Sequence, residues 1–243
     1  MILDKNRIMV AAHRGDSARY AENTVLAFEK ALALGVDNIE TDVRKSKDGK
    51  LFLIHDATLE RTTDGAGDVH GFTYAELKKF DAGKLRAPGS AGQRIPLFTD
   101  LLDLCKNKEI TLNIEIKDNT FEVVDEAVKL ALQYFTREQF VIACFDARIV
   151  EYAWQKHNVL TQGFTPRYFA NHSQKTYTCM HSVGIHHPHL TPELCNVFKA
   201  LNIRPWAWAQ DTAEMAEHAI ACGVELMTCN DPVPALRVLG RIK

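Results

Sequence analysis

The order of apolar and polar residues predicts a (β/α)8 TIM barrel, an α/β fold, with a small insertion after the second strand. Three observations lead there. Short apolar runs of strand length alternate with longer stretches of helical period. Eight of those runs lead into a helix or helix-like connection, which favours a closed barrel over an open sheet. No G-x-G-x-x-G follows the first run, which weakens a doubly wound dinucleotide-binding alternative. The 243 residues suit one catalytic domain over 1–243 with the insertion at about 57–96, and no second domain or short internal repeat is visible.

Strand one is the run Met9-Val10-Ala11-Ala12. Residues 24–34 carry Val25, Leu26, Phe28, Ala31, Leu32 and Leu34 at helical spacing, and Gly35 stops the helix. Residues 38–44 form strand two. Asp48-Gly49 signals a hairpin turn into an extended run at 51–55. The rhythm then breaks: residues 57–96 are rich in Gly, Asp, Thr and Lys and hold one short apolar period near 74–80. A connection of that length is often functional.

The alternation resumes with helix at 97–105, strand at 111–117, helix at 121–134 and strand at 140–145. Helix at 147–156 and strand at 159–164 follow, and 168–184 reads as loop with a weak helix. A sixth strand is expected at 183–187, then a helix at 192–201 capped by Thr191 with Pro192 in its first turn. Strand at 204–209, helix at 212–222 closed by Gly223, strand at 225–229 and helix at 232–239 complete the chain.

With 29 basic and 31 acidic side chains the net charge is −2, so no strong field draws nucleic acid or an anionic membrane. The six cysteines form no C-x-x-C pair and sit among apolar neighbours, which reads as buried thiols in a reducing compartment. Residues 1–9 lack a signal-peptide core, and no apolar run approaches the length of a membrane span. The expected location is cytoplasmic, with no stable membrane insertion and no nucleic-acid partner.

Chemistry in such a barrel sits at the C-terminal ends of the strands. Strand one ends in His13-Arg14-Gly15, strand two carries Glu40 and Asp42, the hairpin run ends in His55-Asp56, and strand three carries Glu115 and Lys117. Residues two apart on a strand share a face. Glu40 and Asp42 facing a barrel interior would repel each other and suffer desolvation unless a cation lay between them. The E-x-D spacing alone also fits a solvated strand face. Glu115-x-Lys117 and two strand-end histidines tip the reading towards three carboxylates around one hard divalent ion, Mg2+ or Ca2+. His13 and His55 suit proton transfer near neutral pH. Arg14 offers a planar fork for phosphate and Lys117 a point charge. This set describes phosphoryl transfer better than acyl transfer; there is no G-x-S-x-G, no H-E-x-x-H and no P-loop.

His13-Arg14-Gly15, Glu22-Asn23-Thr24, Glu40-Thr41-Asp42-Val43, His55-Asp56, Arg61-Thr62-Thr63 and Glu115-Ile116-Lys117 together resemble the glycerophosphodiester phosphodiesterase family. The resemblance is dense over residues 9–117 and looser beyond. It implies a (β/α)8 fold with an insertion after the second strand. It also implies a metal on Glu40, Asp42 and Glu115, an acid/base pair in His13 and His55, and phosphate binding by Arg14 and Lys117. The implied reaction splits a small-molecule glycerophosphodiester into glycerol 3-phosphate and an alcohol, in a monomer or small homo-oligomer serving lipid and glycerol metabolism. Which histidine is acid and which is base stays open.

The second half departs from the family's usual strings. Trp206-Ala207-Trp208-Ala209-Gln210 stands in place of a Trp-Thr-x-Asn-like segment, and Trp208 is either pocket lining or core. Thr228-Cys229-Asn230-Asp231-Pro232 has one residue more than the usual Thr-Asp-x-Pro, so alcohol selectivity is open. His186, His187 and His189 have no carboxylate or cysteine nearby to complete a metal site, and read as a polar strand end or loop, with pocket lining the alternative. Glu22-Asn23-Thr24 is partly explained as helix capping. Two rivals compete: a phospholipase D-like lyase that stops at a cyclic phosphate, and a non-catalytic barrel, whose expected loss of a carboxylate or histidine is not seen.

Overall fold

A computed structural model describes residues 7–83 and 90–243. The leader reading of residues 1–9 and the insertion at 57–96 therefore each lie partly outside the described residues. Among the described residues there are nine strands: β1 (Met9–His13), β2 (Asn38–Lys45), β3 (Leu51–Leu53), β4 (Thr111–Ile116), β5 (Phe140–Ala143), β6 (Leu160–Phe164), β7 (Ser182–His186), β8 (Arg204–Trp208) and β9 (Leu226–Cys229). All but β3 are parallel, and β1 pairs with both β2 and β9, which closes eight strands into a barrel. β3 lies outside the ring, antiparallel to the far end of β2 across the Asp48-Gly49 turn, where Gly49 takes φ +78°.

The helices are α1 (Val25–Ala33), α2 (Tyr74–Leu77), α3 (Phe98–Cys105), α4 (Phe121–Ala131), α5 (Ala147–His157), α6 (Pro192–Ala200), α7 (Ala213–Cys222) and α8 (Pro232–Val238). Their starts are locally encoded. The side chains of Thr24, Thr120, Asp146, Thr191, Thr212 and Asp231 each accept a backbone N–H of the first turn. Gly223 ends α7 in the left-handed region that an L side chain avoids.

Strand periodicity sorts side chains into two cores. Val10, Ala12, Ile39, Val43, Ile114 and Ile142 point outwards and pack with Phe28, Phe98 and Val128 of the helices. Met9, Ala11, Val141, Trp206 and Leu226 point inwards and plug the N-terminal half of the barrel. The next inward positions, towards the strand C-termini, include the polar ones, His13, Glu40, Asn113, Glu115 and Gln162. This is the expected two-fold alternation, with the plug at one end and chemistry at the other.

The segment between β3 and α3 has more structure than its composition suggests. Beyond α2 it holds a 3₁₀ turn (Val69–Gly71), and Leu59, Val69, Leu77, Ala82 and Ile95 pack on Phe52 and Ile54 as a small separate core. Leu77 falls in the short apolar period expected at 74–80, where α2 forms; the other apolar residues are irregularly spaced, so no period announced them. The stretch at 168–184 holds the last residue of one 3₁₀ helix (Pro166–Tyr168), a second 3₁₀ helix (Gln174–Cys179) and the start of β7.

Candidate active site

The turn after β1 sets the first residues. Arg14 and Gly15 both take positive φ, +60° and +81°, and a Cβ on Gly15 would meet the Ala27 backbone at 2.6 Å. Only glycine fits there, and the tight turn holds the Arg14 side chain against the carboxylates. Register does the rest: His13 sits opposite Glu40 on β2, and Asp42 opposite Glu115 on β4. Glu40, Asp42 and Glu115 are buried and offer oxygens within 4.8 Å of one another, a group that could hold a metal ion.

Arg14 and Lys117 are drawn onto these carboxylates. Arg14 Nε lies 3.1 Å from Asp42 Oδ2, and Lys117 Nζ lies 3.2 Å from Asp42 Oδ1 and 2.5 Å from Glu115 Oε1. Burial and then the neighbouring Asp42 push the Glu40 carboxyl well above its ordinary range. Burial likewise raises Glu115 despite Lys117, whereas Lys117 and Arg14 overcome burial at Asp42 and hold it down. Two buried oxygens of the cluster, Glu40 Oε1 and Asp42 Oδ1, have no hydrogen-bond partner, and only the second has a cation, Lys117, beside it. An unpaired carboxylate oxygen inside a protein is costly, and a hard cation is the group this all-oxygen donor set fits.

A cavity of about 220 Å³ opens above the cluster. His13, Arg14, Glu40, His55, Glu115 and Lys117 line one side, and Phe145, Phe164 and Trp208 the other, with Asn113 and Gln162 between. Trp208 is thus in the wall, while Trp206 belongs to the barrel plug. Both histidines are held through Nδ1: His13 lies 2.7 Å from Asn230 Oδ1 and His55 2.6 Å from Asp56 Oδ1. Burial, then Arg14, pushes the His13 imidazole down to about 4, against the pull of the Asn230 bond. Burial also lowers His55, against Asp42 and Asp56.

Several supporting residues carry no sequence-based assignment. Glu22 accepts Arg14 Nη1 at 2.9 Å and both terminal nitrogens of Arg61 at 2.7 and 2.8 Å, and Arg61 also holds Asp56. Asn23, at φ +55°, donates to Asp42 Oδ2 at 2.8 Å and accepts Thr41 Oγ1 at 2.8 Å. The signal for Glu22, Asp56 and Arg61 is their place in the quoted strings; Asn230 stands in the string 228–232 that departs from the family pattern, and Gln162 carries none. His186 ends β7, and its ring lies 4.5 Å from that of Trp208; His186 and His189 each lie 3.1 Å from the Tyr168 hydroxyl. They are rim residues linked to the aromatic wall.

The model of the glycerophosphoryl diester phosphodiesterase family matches residues 13–233. The glycerophosphodiester phosphodiesterase of Caldanaerobacter subterraneus subsp. tengcongensis is 33% identical over 240 residues, 97% of this chain and 99% of that protein. A glycerophosphodiester phosphodiesterase of Bacillus altitudinis is 40% identical over 136 residues, 55% of this chain and 56% of that one. Among solved structures, an Oleispira antarctica phosphodiesterase in complex with its product sn-glycerol-3-phosphate superposes with a TM-score of 0.88 at 22% identity, covering 97% of this chain and 98% of that one. The glycerophosphodiester phosphodiesterase of Thermotoga maritima gives 0.78 at 20% identity, covering 97% and 99%. The chain belongs to the glycerophosphoryl diester phosphodiesterase family.

Proposed function

We propose that this family member hydrolyses small glycerophosphodiesters, glycerophosphocholine among them, to glycerol 3-phosphate and the free alcohol, with Mg2+ or Ca2+ held by Glu40, Asp42 and Glu115. The observation that carries the reading is the cluster of those three buried carboxylates, two of which, Glu40 and Glu115, line one cavity with Arg14, Lys117 and the two imidazoles. A bound divalent cation supplies positive charge to the phosphoryl oxygens and orients a hydroxyl. Arg14 and Lys117, both lining the cavity, hold the phosphate. The substrate's glycerol hydroxyl attacks phosphorus, one histidine takes its proton, and the other protonates the departing alcohol oxygen. The resulting cyclic phosphate is then opened by water, with the two histidines exchanging roles. The aromatic wall packs on the carbon skeleton and excludes water. A cytoplasmic site of action suits such substrates, and no helix among the described residues is long and apolar enough to cross a membrane.

Phosphorus NMR of glycerophosphocholine incubated with the protein and Mg2+ or Ca2+, against an EDTA control, tests the reading. Cation-dependent appearance of glycerol 3-phosphate is the expected result. A cyclic phosphate that persists would place the chain with the lyases, and turnover undiminished by EDTA would remove the cation.

A further inference from the structure

The two histidines of the cavity differ in what stands behind them. His55 backs onto a carboxylate, Asp56, whereas His13 backs onto a carboxamide, Asn230. A carboxamide can present either its oxygen or its nitrogen, and the choice dictates the tautomer of the ring it touches. At Asn230 the choice is made by a third residue. Asn230 Nδ2 donates to Asp211 Oδ2 at 2.7 Å, and the same carboxylate accepts the backbone N–H of Asn230 at 2.6 Å and of Asp231 at 3.2 Å. An ionised carboxylate only accepts, so the amide nitrogen faces Asp211 and the amide oxygen faces His13. Ser17 Oγ lies 3.3 Å from that oxygen and can donate a second bond to it.

We infer that Asp211 orients the Asn230 carboxamide, and that Asn230 thereby holds His13 with its proton on Nδ1 and its Nε2 free towards the cavity. Both are positioning residues and neither touches substrate. The inference rests on the reading of His13 as a proton-transfer group. Nε2 is the nitrogen that lies 3.8 Å from Glu40 Oε2, on the side of the carboxylate cluster. Had the amide been reversed, Nδ2 would donate to Nδ1, the ring proton would move to Nε2, and the neutral imidazole could not accept a proton from a hydroxyl in the cavity. Asp211 follows β8 and Asn230 follows β9, so the arrangement ties two loops of the second half of the chain to the first catalytic strand.

Two measurements test this. The first is the imidazole nitrogen–carbon-bound proton correlation spectrum of the full-length wild-type protein, read for His13 in its neutral form. The expected pattern has a pyrrole-like Nδ1 and a pyridine-like Nε2; the reverse pattern would overturn the inference, whatever the enzyme's substrate. The second is a swap. Asn230→Asp places two carboxylates face to face and should lower kcat by about 10- to 100-fold, the cost typical of losing the group that orients a catalytic ligand, with little change in KM. Asp211→Asn removes the fixed acceptor and should lower kcat by a smaller factor. In the double variant the two side chains trade places: the carboxamide now at position 211 can donate to the carboxylate now at position 230, whose other oxygen accepts from His13 Nδ1. Asp211→Asn should therefore raise kcat in the Asn230→Asp background although it lowers it in the wild type. A decrease of the same factor in both backgrounds would sink the proposal. Should the wild type release no glycerol 3-phosphate at all, the functional reading fails, and the tautomer spectrum still decides the inference.

Discussion

The two arcs of the barrel rim are made of different material. Along β1, β2 and β4 most inward side chains towards the mouth are titratable: His13, Glu40, Glu115 and, just beyond, Lys117 line the cavity, with Asp42 buried among them. Along β5, β6 and β8 the same level holds Ala143, Gln162, Phe164 and Trp208, with Phe145 just past its strand. The Phe145 and Phe164 rings are stacked at 3.6 Å, and Trp208 stands edge-on to both at about 6 Å. The difference teaches a division of labour. On the proposed function the charged arc would carry reactivity, because developing charge needs fixed charge nearby. The aromatic arc provides shape and dryness, which raise the strength of every charge opposite it.

The comparison breaks if the charged arc can be trimmed cheaply. Glu115→Gln or Asp42→Asn should cut turnover on the order of 10³-fold and weaken cation binding, measured by hydrolysis against a cation titration. Unchanged cation affinity in Glu115→Gln would falsify the ligand assignment. His13→Ala and His55→Ala should each cost roughly 10²- to 10⁴-fold in kcat. Because the pair acts as a unit, the double variant should be little worse than the poorer single one. The aromatic arc should answer differently. Trp208→Ala should raise KM about tenfold, near 1.4 kcal/mol, and leave kcat within about twofold; a kcat loss as large as that of a histidine variant would erase the distinction.

The smallest effect expected is on stability, at the support behind the charged arc. Burial alone would raise the Glu22 carboxyl, but the guanidiniums of Arg61 and Arg14 more than offset it and bring it from 4.5 to about 2. A carboxyl held below its unfolded value stabilises the fold fully above pH 4.5, and that contribution is lost as pH falls through about 2. The urea midpoint of the wild type should therefore drop across this window more steeply than that of Glu22→Gln, in which no proton is taken up at residue 22. Parallel slopes would show that the Arg14–Glu22–Arg61 bridge adds nothing to the fold.

Most of the charged arc was legible in the sequence, and little of the aromatic arc was. Glu40-Thr41-Asp42 and Glu115-Ile116-Lys117 put like-facing charges on strands expected to be buried, a local conflict of the kind that points to a functional site. Phe145 and Phe164 carry no such conflict, since an aromatic at a strand end is also ordinary core. His186 and His189 could be placed at a strand end, but their shared Tyr168 hydroxyl lies across an unreadable loop. The insertion showed the opposite failure: its polar, glycine-rich composition concealed the cluster of Leu59, Val69, Leu77 and Ile95 on Phe52.

By itself the sequence determined what depends on near neighbours: strand and helix periods, the caps at Thr24 and Thr191, the glycine turn after His13, and the shared face of Glu40 and Asp42. These follow from the geometry of a few consecutive residues. Only the tertiary structure decided what stands behind each functional group. Closure of β1 onto β9 brings Asn230 to His13 across 217 residues, and the insertion delivers Arg61 to Glu22 across 39. No local pattern encodes such pairs. They exist because a closed barrel seats its first and last strands side by side, and with them the loops that hold His13 and its neighbours in place.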